Sequence, residues 1–183
     1  APPESPEGMR LYARALLASG DRGRAAAVIR KAWTTEKMNE AQQSAILAEF
    51  GGLLTAADHR QRVELLLYAE RAKQAELMKP LFSAGERAYI DARIAALRKS
   101  KDLKAKMAAV PANLRSLPGY KFMQAQALRR EDRSAEAAKV LLSAPRDPAA
   151  LGDPNAWWIE RRLVSRELLD QGDAATAYKL AAG

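Results

Sequence analysis

Cysteine and histidine, two residue types that often carry catalysis or metal binding, are nearly absent from this 183-residue chain, and none of its 22 Asp and Glu residues is singled out as a catalytic pair by its local sequence. The chain has no Cys and a single His, His59, so thiol catalysis, disulfides and cysteine-based zinc sites are excluded. His59 follows Asp58 at the start of a predicted helix, and no nucleophile elsewhere in the sequence points to it as a base. We therefore predict a capping or surface role for His59, and no catalytic, cofactor-binding or metal-binding residue in the chain.

The most distinctive run is Trp-Trp-Ile-Glu-Arg-Arg at positions 157–162. Adjacent residues on a helix point about 100° apart, so Trp157 and Trp158 are both predicted to be buried, each against a different neighbouring helix. Glu160 is then predicted to form an ion pair with a cation of an adjacent helical repeat. The alternative is an exposed platform, on which the indoles together with Arg161 and Arg162 stack against sugar rings.

The composition predicts an all-α fold. Ala occurs 39 times and Leu 23 times, against 14 occurrences of Val, Ile and Thr together. Ala and Leu lose little on entering a helix, whereas β-branched residues favour strands. No apolar run reaches the roughly 20 residues that a membrane span needs.

The chain carries a net charge of +8, which suits an anionic partner. Its cations are spread along the sequence and are not interleaved with aromatic residues in the way that base-stacking surfaces require. This pattern argues against nucleic acid as the partner and favours a charged, solvated surface.

Sharp turns divide the chain into short amphipathic helices. The predicted helices span residues 9–19, 22–33, 39–54, 71–78, 84–99, 102–109, 120–130, 134–143 and 174–182. One more helix begins after an N-cap at Thr55, and another begins at Asp153-Pro154. Residues 1–8 are predicted to be a flexible Pro-rich lead-in, and residues 9–183 one helical region.

A turn pattern repeats along this region. Leu-Leu-x-x-Gly occurs at residues 16–20 and 168–172, and Leu-Leu-x-x-Glu at residues 66–70; residues 128–132 match more loosely and residues 97–101 only in part. An Ala follows five residues after each clear copy, and a small residue there lets two helices of a hairpin approach closely. We predict an irregular α-solenoid of tetratricopeptide-like helical hairpins; a compact helical bundle is the alternative.

Several segments together resemble a known family, the soluble lytic murein transglycosylases of Gram-negative bacteria. The matching segments are residues 30–33, 50–59, 91–97, 110–111, 126–130, 141–145, 153–162 and 172–178. In order and spacing they resemble the non-catalytic superhelical part of these enzymes. The most specific elements are Leu-Thr-x-x-Asp-His and Trp-Trp-x-Glu-Arg-Arg.

The resemblance implies a periplasmic scaffold beside a lysozyme-like domain. That domain cleaves peptidoglycan between N-acetylmuramic acid and N-acetylglucosamine and leaves a 1,6-anhydro end. Its Glu-Ser and Gly-Leu-Met-Gln motifs have no counterpart here, because the one Glu-Ser pair, Glu4-Ser5, lies in the lead-in. The resemblance therefore implies no catalytic residue in this chain, with peptidoglycan strands as the partner of the parent enzyme. A stand-alone tetratricopeptide-like module that binds proteins in a groove is the alternative function.

Overall fold

A computed structural model describes residues 3–182, and within that range the chain forms α-helices, short 3-10 helices and turns but no β-strand. The prediction of an all-α fold is confirmed. The backbone contacts divide the chain into two compact units, Ala1–Leu66 and Leu67–Gly183.

The first unit holds three helices and most of a fourth. They are α1 (Pro6–Ala18), α2 (Arg22–Thr35), α3 (Glu40–Phe50) and α4 (Ala56–Tyr68), whose last two residues belong to the second unit. Helices α1, α2 and α3 pack against one another. Their apolar faces meet in a core that includes Ile29, Trp33, Ile46 and Phe50, all at most 2% exposed.

The second unit holds the remaining seven helices within the described range. They are α5 (Ala72–Met78), α6 (Ala84–Leu97), α7 (Leu103–Ala109), α8 (Pro118–Arg130), α9 (Ser134–Leu142), α10 (Pro154–Asp170) and α11 (Ala174–Ala181). Consecutive helices pack as the pairs α6 with α7, α8 with α9, and α10 with α11, and the last two pairs also pack on each other. One core cluster, which includes Phe122, Leu141, Trp157 and Leu168, joins these two pairs.

The repeated turn has a common backbone structure. Each turn contains one residue in the left-handed region, with φ between 51° and 85°; these residues are Gly20, Glu70, Lys99, Asp132 and Gly172. In four of the turns the next amide donates to a carbonyl five residues earlier, as from Asp21 to Leu16 at 2.8 Å. This bond is typical of the Schellman motif, which satisfies the last carbonyls of a helix.

The small residues after these turns are buried as predicted. Ala25, Ala75, Ala137 and Ala177 are each at most 3% exposed. The partial match at residues 97–101 does form a turn, but its left-handed residue is Lys99 and no Ala lies five residues further on.

The predicted lead-in is shorter than expected, because α1 begins at Pro6 rather than Met9. The Ser5 side chain accepts a hydrogen bond from the Gly8 amide at 3.1 Å, and Pro6 occupies the first helical position, where a missing N–H costs nothing. Two of the lead-in residues, 1 and 2, and the predicted terminal Gly183 lie outside the described residues.

Candidate functional site

Helix α10 positions the run of residues 157–162. Asp153 caps this helix by accepting a hydrogen bond from the Ala156 amide at 3.0 Å, and Pro154 follows as the first helical residue. The start predicted at Asp153-Pro154 is confirmed. The helix packs against its own partner α11 and against α8 and α9 of the preceding pair, so the run lies on a helix that contacts both.

Trp157 is buried, as predicted, with 1% of its surface exposed. Its indole N–H lies 3.0 Å from both the Tyr68 hydroxyl and the Leu151 carbonyl. The ring packs on Phe122 at a centroid distance of 5.4 Å, and Phe122 in turn packs on Tyr68 at 5.2 Å. Trp157 therefore anchors α10 through both packing and a satisfied polar group.

The prediction that Trp158 is buried is wrong. The residue is 56% exposed, and the Arg162 guanidinium lies over its ring at 4.9 Å. A 100° step around the helix carries Trp158 off the side that packs on α8 and α9, so only one of the two adjacent indoles enters the core. Of the alternative platform the structure therefore contains one exposed indole with Arg162 over its ring, whereas the other indole, Trp157, is buried.

Glu160 forms the ion pair that the sequence predicted. It is 2% exposed, and its two oxygens accept bonds from Arg129 of α8, from Nε at 2.6 Å and from Nη2 at 3.3 Å. Glu167 lies 3.9 Å from the same guanidinium. The hydrogen bond that Arg129 donates to Glu160 raises the pKa of Arg129 more than burial lowers it, so this cation and its carboxylate form one fixed, charged unit.

A cavity of about 260 Å³ opens beside Glu160, with Arg93 and Tyr68 also in its wall. A general acid needs a carboxyl group that is free to hold a proton near a substrate. Both Glu160 oxygens are instead occupied by Arg129, so the arrangement is structural.

Arg161 and Arg162 line a second opening on another side of α10. This groove, of about 320 Å³, lies between α10, the loop after α9 and the end of α11, and Arg146 of the loop faces it as well. Burial and the neighbouring charge of Arg146 lower the pKa of Arg161. Sequence reasoning did not connect Arg146 to this run, because nothing in the spacing indicates how the loop folds back.

His59 is neither a cap nor a surface residue. Thr55 and Asp58 cap α4, because the Asp58 amide donates to the Thr55 hydroxyl at 3.2 Å and the Thr55 amide donates to Asp58 at 2.7 Å. His59 is half-buried, with its ring edge-on to Trp33 at 5.7 Å. Burial lowers its pKa, and Asp58 opposes that shift, so His59 is a packing residue of the first unit.

Arg62 is a buried charge that sequence reasoning missed. It is 0% exposed, and its guanidinium donates to the carbonyls of Glu36 at 2.8 Å and Trp33 at 3.3 Å and to the Gln43 side-chain oxygen at 3.1 Å. Burial lowers its pKa to about 10. The two carbonyls belong to the end of α2, where a cation also meets the negative end of the helix dipole. In the sequence, Arg62 is one charged residue next to Val63 in an amphipathic helix, and this pattern does not predict that its side chain is buried against the end of α2.

Comparisons with models of protein families, with curated proteins and with solved structures found no match for this chain. Among the helices of the described residues, none is both long enough and apolar enough to cross a membrane.

Proposed function

We propose that this chain is the non-catalytic superhelical scaffold of a periplasmic lytic murein transglycosylase. The observation that carries the proposal is the role of the Trp-Trp-x-Glu-Arg-Arg run. Trp157 and Glu160 both reach from α10 to the preceding helical pair, where they meet Phe122 and Arg129. The element most specific to the family resemblance is thus the element that joins consecutive helical pairs.

The arrangement of the second unit supports a solenoid of tetratricopeptide-like hairpins. Two consecutive pairs, α8 with α9 and α10 with α11, pack on each other, and each pair turns through a left-handed residue followed by a buried Ala. In repeat proteins each unit contacts mainly its sequence neighbours and buries a continuous core with them.

The scaffold acts by shape and not by chemistry. Glycan cleavage needs a carboxyl group held at the glycosidic oxygen, which donates and then accepts a proton. In the proposal that group belongs to a lysozyme-like domain outside these residues, and peptidoglycan strands are the partner of the whole enzyme. Glu160, which is bonded to Arg129 through both oxygens, keeps the hairpins in register.

A digestion of purified peptidoglycan sacculi tests the enzymatic part of the proposal. The 183-residue chain alone should release no 1,6-anhydro-muropeptides, whereas the product of the full reading frame should release them. A Glu160→Gln variant of the isolated chain is the matched control. Release by the isolated chain that Glu160→Gln abolishes would contradict the scaffold function, as would a full reading frame with no lysozyme-like domain.

Small-angle X-ray scattering tests the solenoid. A compact domain of this length has a radius of gyration of about 16 Å. The proposed solenoid should exceed that value clearly. A radius of gyration near 16 Å would favour the compact bundle.

A stand-alone adaptor that binds proteins is the second candidate, and one observation favours it. Large apolar side chains stay exposed on the last helical pair: Trp158 at 56%, Leu169 at 56% and Tyr178 at 75%. Aromatic residues are enriched at binding surfaces, and the exposed Trp158 and Tyr178 both lie on this pair. A full reading frame that consists of helical repeats alone would favour this function over the transglycosylase scaffold.

A further inference from the structure

The groove beside α10 concentrates positive charge, and no carboxylate side chain of residues 3–182 lies in its wall. Arg146, Arg161 and Arg162 line it. Within the described residues none of these three arginines forms an ion pair, in contrast to Arg129 of α8, which meets two carboxylates. Three guanidiniums around one opening repel one another, and an anion bound between them would remove that repulsion.

Arg161 contributes a second and independent observation. Its Nε atom is buried and has no hydrogen-bond partner among the described residues. Buried N–H groups in proteins are nearly always bonded, and an unbonded one is destabilising. No hydrogen bond therefore holds the Arg161 guanidinium in this position through Nε, and turning the guanidinium toward an oxyanion in the groove would satisfy this donor.

The rest of the groove is mostly apolar, and the hydroxyl of Ser165, the other polar side chain in its wall, donates to the Ala177 carbonyl. Pro148, Leu151 and Leu180 form part of its wall, and the exposed Trp158 ring forms another part with the Arg162 guanidinium over it. Few side chains of this wall could bond the many hydroxyl groups of a sugar or the edge of a nucleobase. The wall fits a small apolar group directly attached to an anion.

We propose that this groove binds the C-terminal carboxylate of a peptide, with the carboxylate between Arg161 and Arg146 and the last side chains against Leu151, Leu180 and Trp158. A planar guanidinium pairs with a carboxylate through two parallel hydrogen bonds, which a Lys could not supply. The volume of about 320 Å³ suits the last one or two residues of a chain. This site goes beyond the scaffold function and does not depend on it.

A pair of ligands that differ only in charge tests the proposal. N-acetyl-Leu-Ala with a free carboxylate and the same dipeptide as its C-terminal amide are titrated into the 183-residue chain by calorimetry. Tryptophan fluorescence is a parallel readout, because Trp33 and Trp157 are buried and Trp158 is the exposed indole. We expect the acid to bind at least about tenfold more tightly than the amide, since hydrogen bonds to charged groups are the stronger ones.

Variants locate the site. Arg161→Gln and Arg146→Gln should each weaken binding of the acid about tenfold and leave binding of the amide unchanged. Arg166→Gln is the matched control, because Arg166 is exposed on the same helix and does not line the groove. Arg146 is exposed in a loop, so its variant should fold even if Arg161→Gln does not; circular dichroism checks both.

Four outcomes would overturn the proposal. These are no binding of the acid, equal binding of acid and amide, equal weakening by Arg166→Gln and Arg146→Gln, and tighter binding of N-acetylmuramic acid or inorganic phosphate than of the peptide acid. The last outcome would assign the groove to an acidic sugar or a phosphate. None of these results would affect the digestion of sacculi that tests the scaffold function.

Discussion

Arg62 in the first unit and Arg129 in the second unit both bring a guanidinium out of water, but they meet different partners. Arg62 is fully buried, and its partners among residues 3–182 are all neutral oxygens, those of Trp33, Glu36 and Gln43. Arg129 is partly buried and meets the carboxylates of Glu160 and Glu167. The pKa of Arg62 is lowered by burial, to about 10, while the pKa of Arg129 is raised by its carboxylate partner.

The difference teaches how a buried cation depends on its partners. Neutral carbonyls accept the hydrogen bonds of a guanidinium but do not neutralise its charge. The loss of hydration therefore determines the direction of the pKa shift at Arg62. A carboxylate supplies both the hydrogen-bond acceptors and the counter-charge, but it is itself a buried charge that is destabilising if its partner is removed. Removing either arginine should therefore be destabilising for different reasons and by different amounts.

The largest effect is expected for Arg129→Met. This change leaves the Glu160 carboxylate, 2% exposed, without its main counter-charge, and breaking a buried pair in this way costs about 3–5 kcal/mol. Urea unfolding measures the loss. Arg133→Met is the matched control, because Arg133 lies in an exposed ion pair with Glu136, and solvent screening makes the expected loss far smaller than that for Arg129→Met.

A double variant separates charge from packing in this pair. Arg129→Met combined with Glu160→Met removes both charges and should recover part of the lost stability, because a buried ion pair can often be replaced by apolar residues. A double variant no more stable than Arg129→Met alone would show that the uncompensated charge is not the cause.

Arg62→Met should cost less, about 2 kcal/mol. It leaves the Trp33 and Glu36 carbonyls and the Gln43 oxygen without their donor, but it strands no charge, and losing a donor to a buried neutral acceptor costs about 1–3 kcal/mol. The same urea unfolding compares it with Arg129→Met. A greater loss for Arg62→Met would reverse the comparison and mean that neutral acceptors hold a buried cation more strongly than a carboxylate does.

The two buried tryptophans show the same kind of difference between the units, but the expected effect on stability is smaller because it concerns one neutral N–H group. Trp157 donates its indole N–H to Leu151 and Tyr68, whereas the Trp33 indole nitrogen is buried without a partner in the described structure. Trp157→Phe should therefore destabilise the protein by about 1 kcal/mol more than Trp33→Phe, since both remove the same atoms and only the first breaks a hydrogen bond. Equal losses in thermal unfolding would assign the effect to packing alone.

The sequence predicts the fold well where the signal is local. The Asp153 cap, the Thr55–Asp58 capping box and the buried Ala residues after the turns follow from side chains within a few positions of each other. The Glu160 ion pair was predicted in kind, but its partner Arg129 lies 31 positions away and could not be named. Hydrophobic periodicity says that a face is buried, not which helix covers it.

The errors in the candidate site have the same origin. Trp157 and Trp158 are identical in type and adjacent in sequence, so only the placement of the neighbouring helices decides that one is buried and the other exposed. Arg62 and His59 enter the first unit's core because the end of α2 and Trp33 lie beside them. No local pattern encodes these tertiary neighbours.

The smallest expected effect is the pKa shift of His59, which can be measured without assigning signals because His59 is the single histidine of the chain. Its half-buried ring lies against Trp33, and burial lowers its pKa below the usual value of about 6.5 despite the opposing charge of Asp58. Its one imidazole signal in an NMR titration should therefore give a pKa under 6.5. Asp58→Asn should lower that pKa further, since it removes the charge that favours the protonated ring.

The sign of the pH effect follows from linkage. With its pKa lowered by folding, His59 binds fewer protons in the folded than in the unfolded state once the pH falls below about 6.5, so acidification favours unfolding. Between pH 7.5 and 5.5 the parent chain should lose more stability than a His59→Gln variant, whose position 59 does not titrate. A His59 pKa at or above 6.5 in the folded protein would mean that Asp58 outweighs burial. Arg62 would then be the single example in this comparison of a first-unit cation whose pKa burial lowers, and the contrast with Arg129 of the second unit would depend on it alone.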